Sequence, residues 1–161
     1  MVIRPSNKHL NAQLLRAEVA GDKVIASAHS SELKEFGWKA ACGNMSSAYL
    51  VGLLIGRRAK AKGVEKAILD IGLARPGSRI FAAAKGALDG GLLIPIDKEA
   101  LPPDDRIRGT HVASYSKLFM NEPELYKRRF SGYLKNKLKP EDIQENFAAV
   151  QAKISSLEAQ K

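Results

Sequence analysis

Apolar and polar positions alternate with a period of two where the chain begins. Residues 2–18 read as an extended segment bent at Pro5-Ser6, and residues 23–29 as a second, joined by the turn signal Ala20-Gly21-Asp22. Together they predict an antiparallel hairpin. In the first segment His9, Asn11 and Gln13 project on one side. In the second, Val24, Ala26 and Ala28 face one way and Ile25, Ser27 and His29 the other, so small polar groups sit beside the amide row. From residue 44 to residue 62 the period becomes helical. Asn44 or Ser46 serves as N-cap, Tyr49, Leu50, Leu53 and Leu54 form an apolar middle, Arg57, Arg58, Lys60 and Lys62 a cationic last turn, and Gly63 the stop. Gly52 and Gly56 predict a close approach of this helix to a sheet.

The run A-I-L-D-I-G-L at residues 67–73 has the continuous apolar character of a buried strand. Residues 79–90 form a second helix, with Ile80, Ala83, Ala84 and Leu88 on one stripe, and residues 92–95 a last short strand. The order strand, strand, helix, strand, helix, strand predicts an α/β protein, a mixed sheet covered by helices. At residues 101–105, L-P-P-D-D is linker-like, so residues 1–100 are expected to form one domain. Residues 101–161 then make a basic helical extension, broken at Pro123 and Pro140. Within it Ile143, Phe147, Val150, Ile154 and Leu157 make an apolar seam at helical spacing, which docks either on the protein's own domain or on a neighbour.

Composition narrows the choice of partner. Of 161 residues 45% are hydrophobic, enough for a real core, and 26 Lys and Arg against 17 Asp and Glu give a formal charge of +9, which favours a polyanion. The charge is also unevenly placed. Arg4, Lys8 and Arg16 meet no acid before Glu18, and a carboxylate-free strand studded with cations and amides suits RNA, because a carboxylate there would repel phosphate. The longest apolar run, residues 48–56, is far short of the roughly 20 residues of a spanning helix. A single cysteine, Cys42, forms neither an internal disulfide nor a zinc cluster, in agreement with a cytoplasmic protein.

Two further stretches carry binding chemistry. Arg75-Pro76-Gly77-Ser78-Arg79 joins a strand to a helix, where backbone N–H groups and the positive helix end can hold a phosphate, although the Gly-Lys-Ser/Thr ending of a nucleotide-triphosphate loop is absent. Arg79, at a helix start beside the hairpin, is expected to contact RNA and to contribute little to folding. Between Tyr126 and Lys139 six cations occur without an acid, interleaved with Phe130 and Tyr133, a composition that pairs with phosphates and stacks on bases or packs its aromatics inward. Arg106-Ile107-Arg108-Gly109 is a smaller signal of the same kind. Catalysis has little support. His9, His29 and His111 lie in unlike contexts, no nucleophile elbow is present, and nothing calls for a cofactor or metal. The rival class is a ribonuclease-H-like metal-dependent nuclease, suggested by the strand order. Its two-metal chemistry needs carboxylates where this chain has Asn7, Lys8 and His9, and Asp70 is the lone acid in a core strand, more suited to capping a turn or pairing with a cation.

The opening R-P-S-N-K-H-L-N-A-Q at residues 4–13 resembles the first strand of universal large-subunit ribosomal protein eighteen. The archaeal type of that family is resembled again at residues 27–33 (S-A-H-S-S-E-L), 37–39, 48–50, 67–73, 77–79, 105–109 and 128–135, over nearly the whole chain. The resemblance implies a ribonuclease-H-like domain that binds 5S ribosomal RNA. It also implies work with a second 5S-binding protein, contact with the large ribosomal RNA in the central protuberance, and no enzymatic activity. By position it places the RNA grip on Arg4, Asn7, Lys8, His9 and Gln13, on Ser27 beside them, and on Ser78 and Arg79 of the loop, with Lys39 and Asn44 before the first long helix. Arg106, Arg108, Arg128, Arg129 and Lys135 would approach the large RNA or neighbouring proteins. Members usually carry a basic arm ahead of the first strand, whereas this sequence opens inside it, and the loop at Arg75-Pro76-Gly77 is shorter than usual, so Arg75 is not carried over.

Overall fold

A computed structural model describes residues 1–159; Gln160 and Lys161, at the end of the expected extension, lie outside the described residues. The fold is mixed α/β. Its sheet has three antiparallel strands in the order β1 (Val2–Pro5), β2 (Leu10–Arg16), β3 (Lys23–His29). The single bent strand expected over residues 2–18 is therefore itself a hairpin. Ser6 closes it: its N–H and hydroxyl both donate to the His9 carbonyl at 2.8 and 3.0 Å, and its Oγ accepts from His9 N–H at 3.0 Å. Pro5 has no N–H to give a continued ladder, and Ser6 supplies the side chain that replaces it.

The registers Ile3↔Ala12 and Ala12↔Ala28 carry small and apolar side chains inward, onto the helix α1 (Met45–Ala61). Asn44 caps that helix by accepting from Ser47 N–H at 2.7 Å, and Gly63, at φ +73°, turns the chain away past its end. Every residue from Ser46 to Gly56 is buried, the mark of a helix wrapped on all sides. The sheet covers one side, α2 (Arg79–Asp89) a second, and α7 (Ile143–Ser155) a third. The close approach expected between α1 and a sheet is instead made to α2. A Cβ on Gly52 would stand 1.8 Å from the Ala83 carbonyl oxygen, and one on Gly86 2.0 Å from that of Tyr49. Two backbones that near each other leave no room for any side chain.

Residues 67–73 and 92–95 do not form strands. The first meets β1 at one isolated parallel bridge, Val2↔Asp70, with Asp70 N–H donating to the Met1 carbonyl at 2.8 Å, and the second meets the chain just before the first at another, Lys66↔Leu93. Only Met1 and Val2 lie alongside the first segment. Beyond them the Asp70 carboxylate accepts from Gly72 N–H at 3.1 Å, Gly72 takes φ +52°, and the chain turns before a ladder can extend. Ile68 and Leu73 consequently stand exposed, at 79% and 103%. The run is apolar enough for a buried strand, yet the turn at Gly72 ends its pairing with β1 at a single bridge.

Past residue 101 four short helices, α3 (Asp104–Arg108), α4 (Thr110–Lys117), α5 (Pro123–Arg129) and α6 (Ser131–Lys135), lead to α7. Ile143, Phe147, Val150 and Ile154 of the apolar seam are buried in the same core as α1, so the seam docks on its own chain, while Leu157 stays exposed. A polar staple accompanies this contact: Tyr49 donates to Asp89 at 2.6 Å and accepts from Gln151 of α7 at 3.2 Å. Burial and the Asp89 carboxylate push the phenol far above its ordinary range, so it stays neutral.

Candidate RNA-binding surface

The register that carries apolar residues inward carries a polar set outward. Arg4 lies opposite Asn11 and Asn11 opposite His29; Val2 lies opposite Gln13 and Gln13 opposite Ser27. One face of the sheet therefore presents Arg4, Asn11, His29, Gln13 and Ser27 in two cross-strand rows. At its end the Ser6 turn lifts Asn7 and Lys8 into solvent. The fully buried Ser30 fixes His9: its Oγ accepts from Leu10 N–H at 3.0 Å and lies in hydrogen-bond contact with His9 Nδ1 at 3.2 Å. Likewise His29 Nδ1 accepts from Ser31 N–H at 3.2 Å. Both imidazoles are thus engaged through Nδ1, which leaves Nε2 for a ligand, and their rings lie 5.1 Å apart. Two imidazoles, four amide or hydroxyl groups and two cations suit phosphate and base-edge groups.

The free edge of β3 is closed. Arg58 donates to the Ser27 carbonyl at 2.6 Å and pairs with Glu32 at 2.6 Å, and Lys62 donates to the Ile25 carbonyl. These cations of α1 occupy the acceptors that another strand would use. Glu32 in turn accepts from His29 N–H at 2.6 Å. Burial raises its carboxyl, but the bonds from Arg58 and His29 outweigh that and hold it below its ordinary value.

The remaining expected residues divide into three groups. Asn44 and Arg79 sit beside the hairpin and are engaged in holding it. Asn44 caps α1, and the Arg79 guanidinium donates to the Ser6 carbonyl at 2.9 Å and to the Gly43 carbonyl at 2.8 Å, tying the hairpin turn to the loop before α1. Ser78 precedes α2 with its Oγ buried and without a hydrogen-bond partner. Two N–H groups of its loop are taken internally, Gly77 by the Ala100 carbonyl and Ser78 by that of Arg75, which leaves fewer for an anion. Lys39 is exposed, its backbone held at N–H by Asn146 and at the carbonyl by Asn136. Arg4 is not wholly free, since it pairs with Asp70 at 3.1 Å. That exposed pair, with the turn at Gly72, is the role anticipated for Asp70.

In the extension Arg106 and Arg108 are exposed on α3, Arg128 on α5 and Lys135 at the end of α6. Arg129 is engaged: it donates to the Tyr115 hydroxyl at 2.6 Å and lies 4.9 Å from the centre of the Phe119 ring. Phe130, 5% exposed, packs among Tyr115, Tyr126 and Tyr133, so these aromatics pack on one another while the cations face out. Burial and the Glu141 carboxylate push the Tyr126 phenol up to about 12. Among the described residues no three His, Cys, Asp or Glu side chains are grouped to hold a metal ion, and no helix is long and apolar enough to cross a membrane.

A domain with this hairpin face and basic extension belongs with the RNA-associated structural proteins, and sequence comparison specifies which. The model for the family of ribosomal large subunit proteins 60S L5 and 50S L18 matches residues 1–64 and 59–97. Large ribosomal subunit protein uL18 of Thermofilum pendens (strain DSM 2475 / Hrk 5) is 50% identical over 157 residues, covering 96% of this chain and 80% of that protein. The chain belongs to this family of large-subunit ribosomal proteins, which is structural and non-enzymatic. The metal-dependent nuclease alternative is thereby removed.

Proposed function

We propose that the chain binds 5S ribosomal RNA through the outer face and tip of its first hairpin and helps attach that RNA to the large ribosomal RNA in the central protuberance. The carrying observation is the registered, carboxylate-free row Arg4–Asn11–His29 with Gln13–Ser27 beside it, ending in Asn7 and Lys8. Lys39, Asn44, Ser78 and Arg79 belong to the same surface, Asn44 and Arg79 chiefly by holding the α1 cap and the hairpin turn. Residues 101–161 act as a basic helical extension whose Arg106, Arg108, Arg128 and Lys135 approach the large RNA or a second 5S-binding protein, with Arg129 keeping the aromatic cluster in shape. A ribonuclease-H-like arrangement accords with the two parallel bridges beside β1, in which residues 65–70 and 92–94 continue the sheet beyond its three formal strands. The reading is tested by titrating purified protein with 5S ribosomal RNA. Lys8→Glu and Gln13→Glu, which place carboxylates on the exposed face without touching the core, weaken binding and leave thermal unfolding unchanged. Equal binding by both variants would remove the hairpin face from the interface.

A further inference from the structure

Beside the hairpin tip, the loop before α1 and the end of α6 enclose an open hollow of about 450 Å³. Its polar lining comes from Asn7, Lys8, His9, Lys34, Asn44 and Asn136, drawn from four separate parts of the chain, and no carboxylate lines it. A volume in the roughly 300–1,000 Å³ range of small-ligand sites, with two ammonium groups and several amide edges, matches a nucleotide better than a bare anion. The walls are held in place without the ligand. Arg79 bridges Ser6 and Gly43, Asn136 Nδ2 donates to the Lys39 carbonyl at 2.8 Å, and Trp38 Nε1 donates to the Ala41 carbonyl at 3.2 Å. Asn44 is spent on Ser47 and on Tyr133. What remains available is the exposed amide of Asn7, the amide oxygen of Asn136, His9 Nε2 and the exposed ammonium groups of Lys8 and Lys34.

We propose that this hollow receives one unstacked nucleotide of the bound RNA, its phosphate between Lys8 and Lys34 and its base against the His9 ring and the Asn7 amide. The inference rests on the RNA-binding reading above and extends it to Lys34 and Asn136, which that reading does not use. A strand crossing the hairpin face reaches the hollow over the tip residues that line both.

The test compares 5S ribosomal RNA binding, at several salt concentrations, by the full chain and three variants. Lys34→Ala removes a phosphate partner, Ala41→Trp plugs the hollow from an exposed position without changing charge, and Lys23→Ala removes an exposed cation at the other end of β3. Lys34→Ala is expected to weaken binding about tenfold and to lower the salt slope by about 1. Ala41→Trp is expected to weaken binding comparably with the slope kept for the remaining contacts, and Lys23→Ala to change little. Adenosine, guanosine, cytidine and uridine 5′-monophosphates are titrated as the free-nucleotide arm and bind far more weakly than RNA. Plugged and Lys34→Ala proteins that bind RNA like the Lys23→Ala control would overturn the proposal, as would mononucleotide binding as tight as that of RNA. Failure of the parent reading looks different: wild-type protein would then bind 5S and transfer RNA alike, whatever the variants do.

Discussion

Replacing Arg79 by alanine removes two bonds from one guanidinium, to the Ser6 carbonyl at 2.9 Å and the Gly43 carbonyl at 2.8 Å. A hydrogen bond from a charged donor contributes about 1.5–3 kcal/mol, and because the Ser6 bond is exposed the pair is taken as about 2–3 kcal/mol in total. In a chain of this size each kcal/mol moves Tm by about 2–4 °C, so Arg79→Ala should unfold about 4–12 °C earlier. Affinity for RNA falls as well, by about tenfold, the equivalent of 1.4 kcal/mol, because the hairpin tip and the loop before α1 are no longer held together. Arg79→Lys recovers less than half of the Tm loss, since a single ammonium cannot span two carbonyls as a planar fork does. Differential scanning fluorimetry beside an RNA titration reads both effects. An unchanged Tm with a large loss of binding would refute the clamp and make Arg79 a direct contact.

Gly52→Ala and Gly86→Ala each place a methyl group within 1.8–2.0 Å of a backbone oxygen on the facing helix, so each should cost about 3 kcal/mol or more in urea unfolding; native-like stability would show that α1 and α2 are farther apart than described. Glu32 has a carboxyl held below its ordinary 4.5, so its bonds to Arg58 and His29 N–H stabilise the fold above that pH and are lost as pH falls through the lowered value. Arg58→Ala should therefore flatten the acid limb of the stability curve, and identical limbs would contradict the pairing. RNA binding should weaken with salt, log affinity dropping by about 0.7–0.9 per phosphate neutralised for each decade; a flat response would remove the electrostatic part of the account.

Sequence periodicity made the two hairpin halves, α1 with its Asn44 cap, α2 and the docked seam of α7 legible, because each depends on residues close together in the chain. Three things were not local. The Ser6 turn splits one expected strand in two, and its signal is a serine whose side chain bonds three residues on. Residues 67–73 have a strand's composition, but their pairing with β1 stops at one bridge, where the chain turns at Gly72. Gly52 and Gly56 announced a close approach, but the sheet expected as their neighbour is in fact α2, a partner farther along the chain that the glycines alone do not specify. For the site, alternation along β2 and β3 placed Gln13, Asn11, Ser27 and His29 together, and the tip followed from the same pattern. Arg79, by contrast, reads as a solvent-facing cation at a helix start, and the carbonyls it holds lie 73 and 36 residues away. Lys34 enters the hollow from a segment that carries no motif, and Asn136, although inside the cationic stretch 126–139, is an amide that its cation–aromatic pattern does not single out.

The central claim is that the hairpin face recognises 5S ribosomal RNA, and a competition titration tests it most directly. Labelled 5S ribosomal RNA is bound to the full chain near physiological salt and challenged with unlabelled 5S or transfer RNA. The account predicts that 5S competes at far lower concentration than transfer RNA, and that Gln13→Glu erases the difference while leaving the residual, salt-sensitive binding of any RNA. Equal competition by the two RNAs, or a preference that survives Gln13→Glu intact, would contradict it.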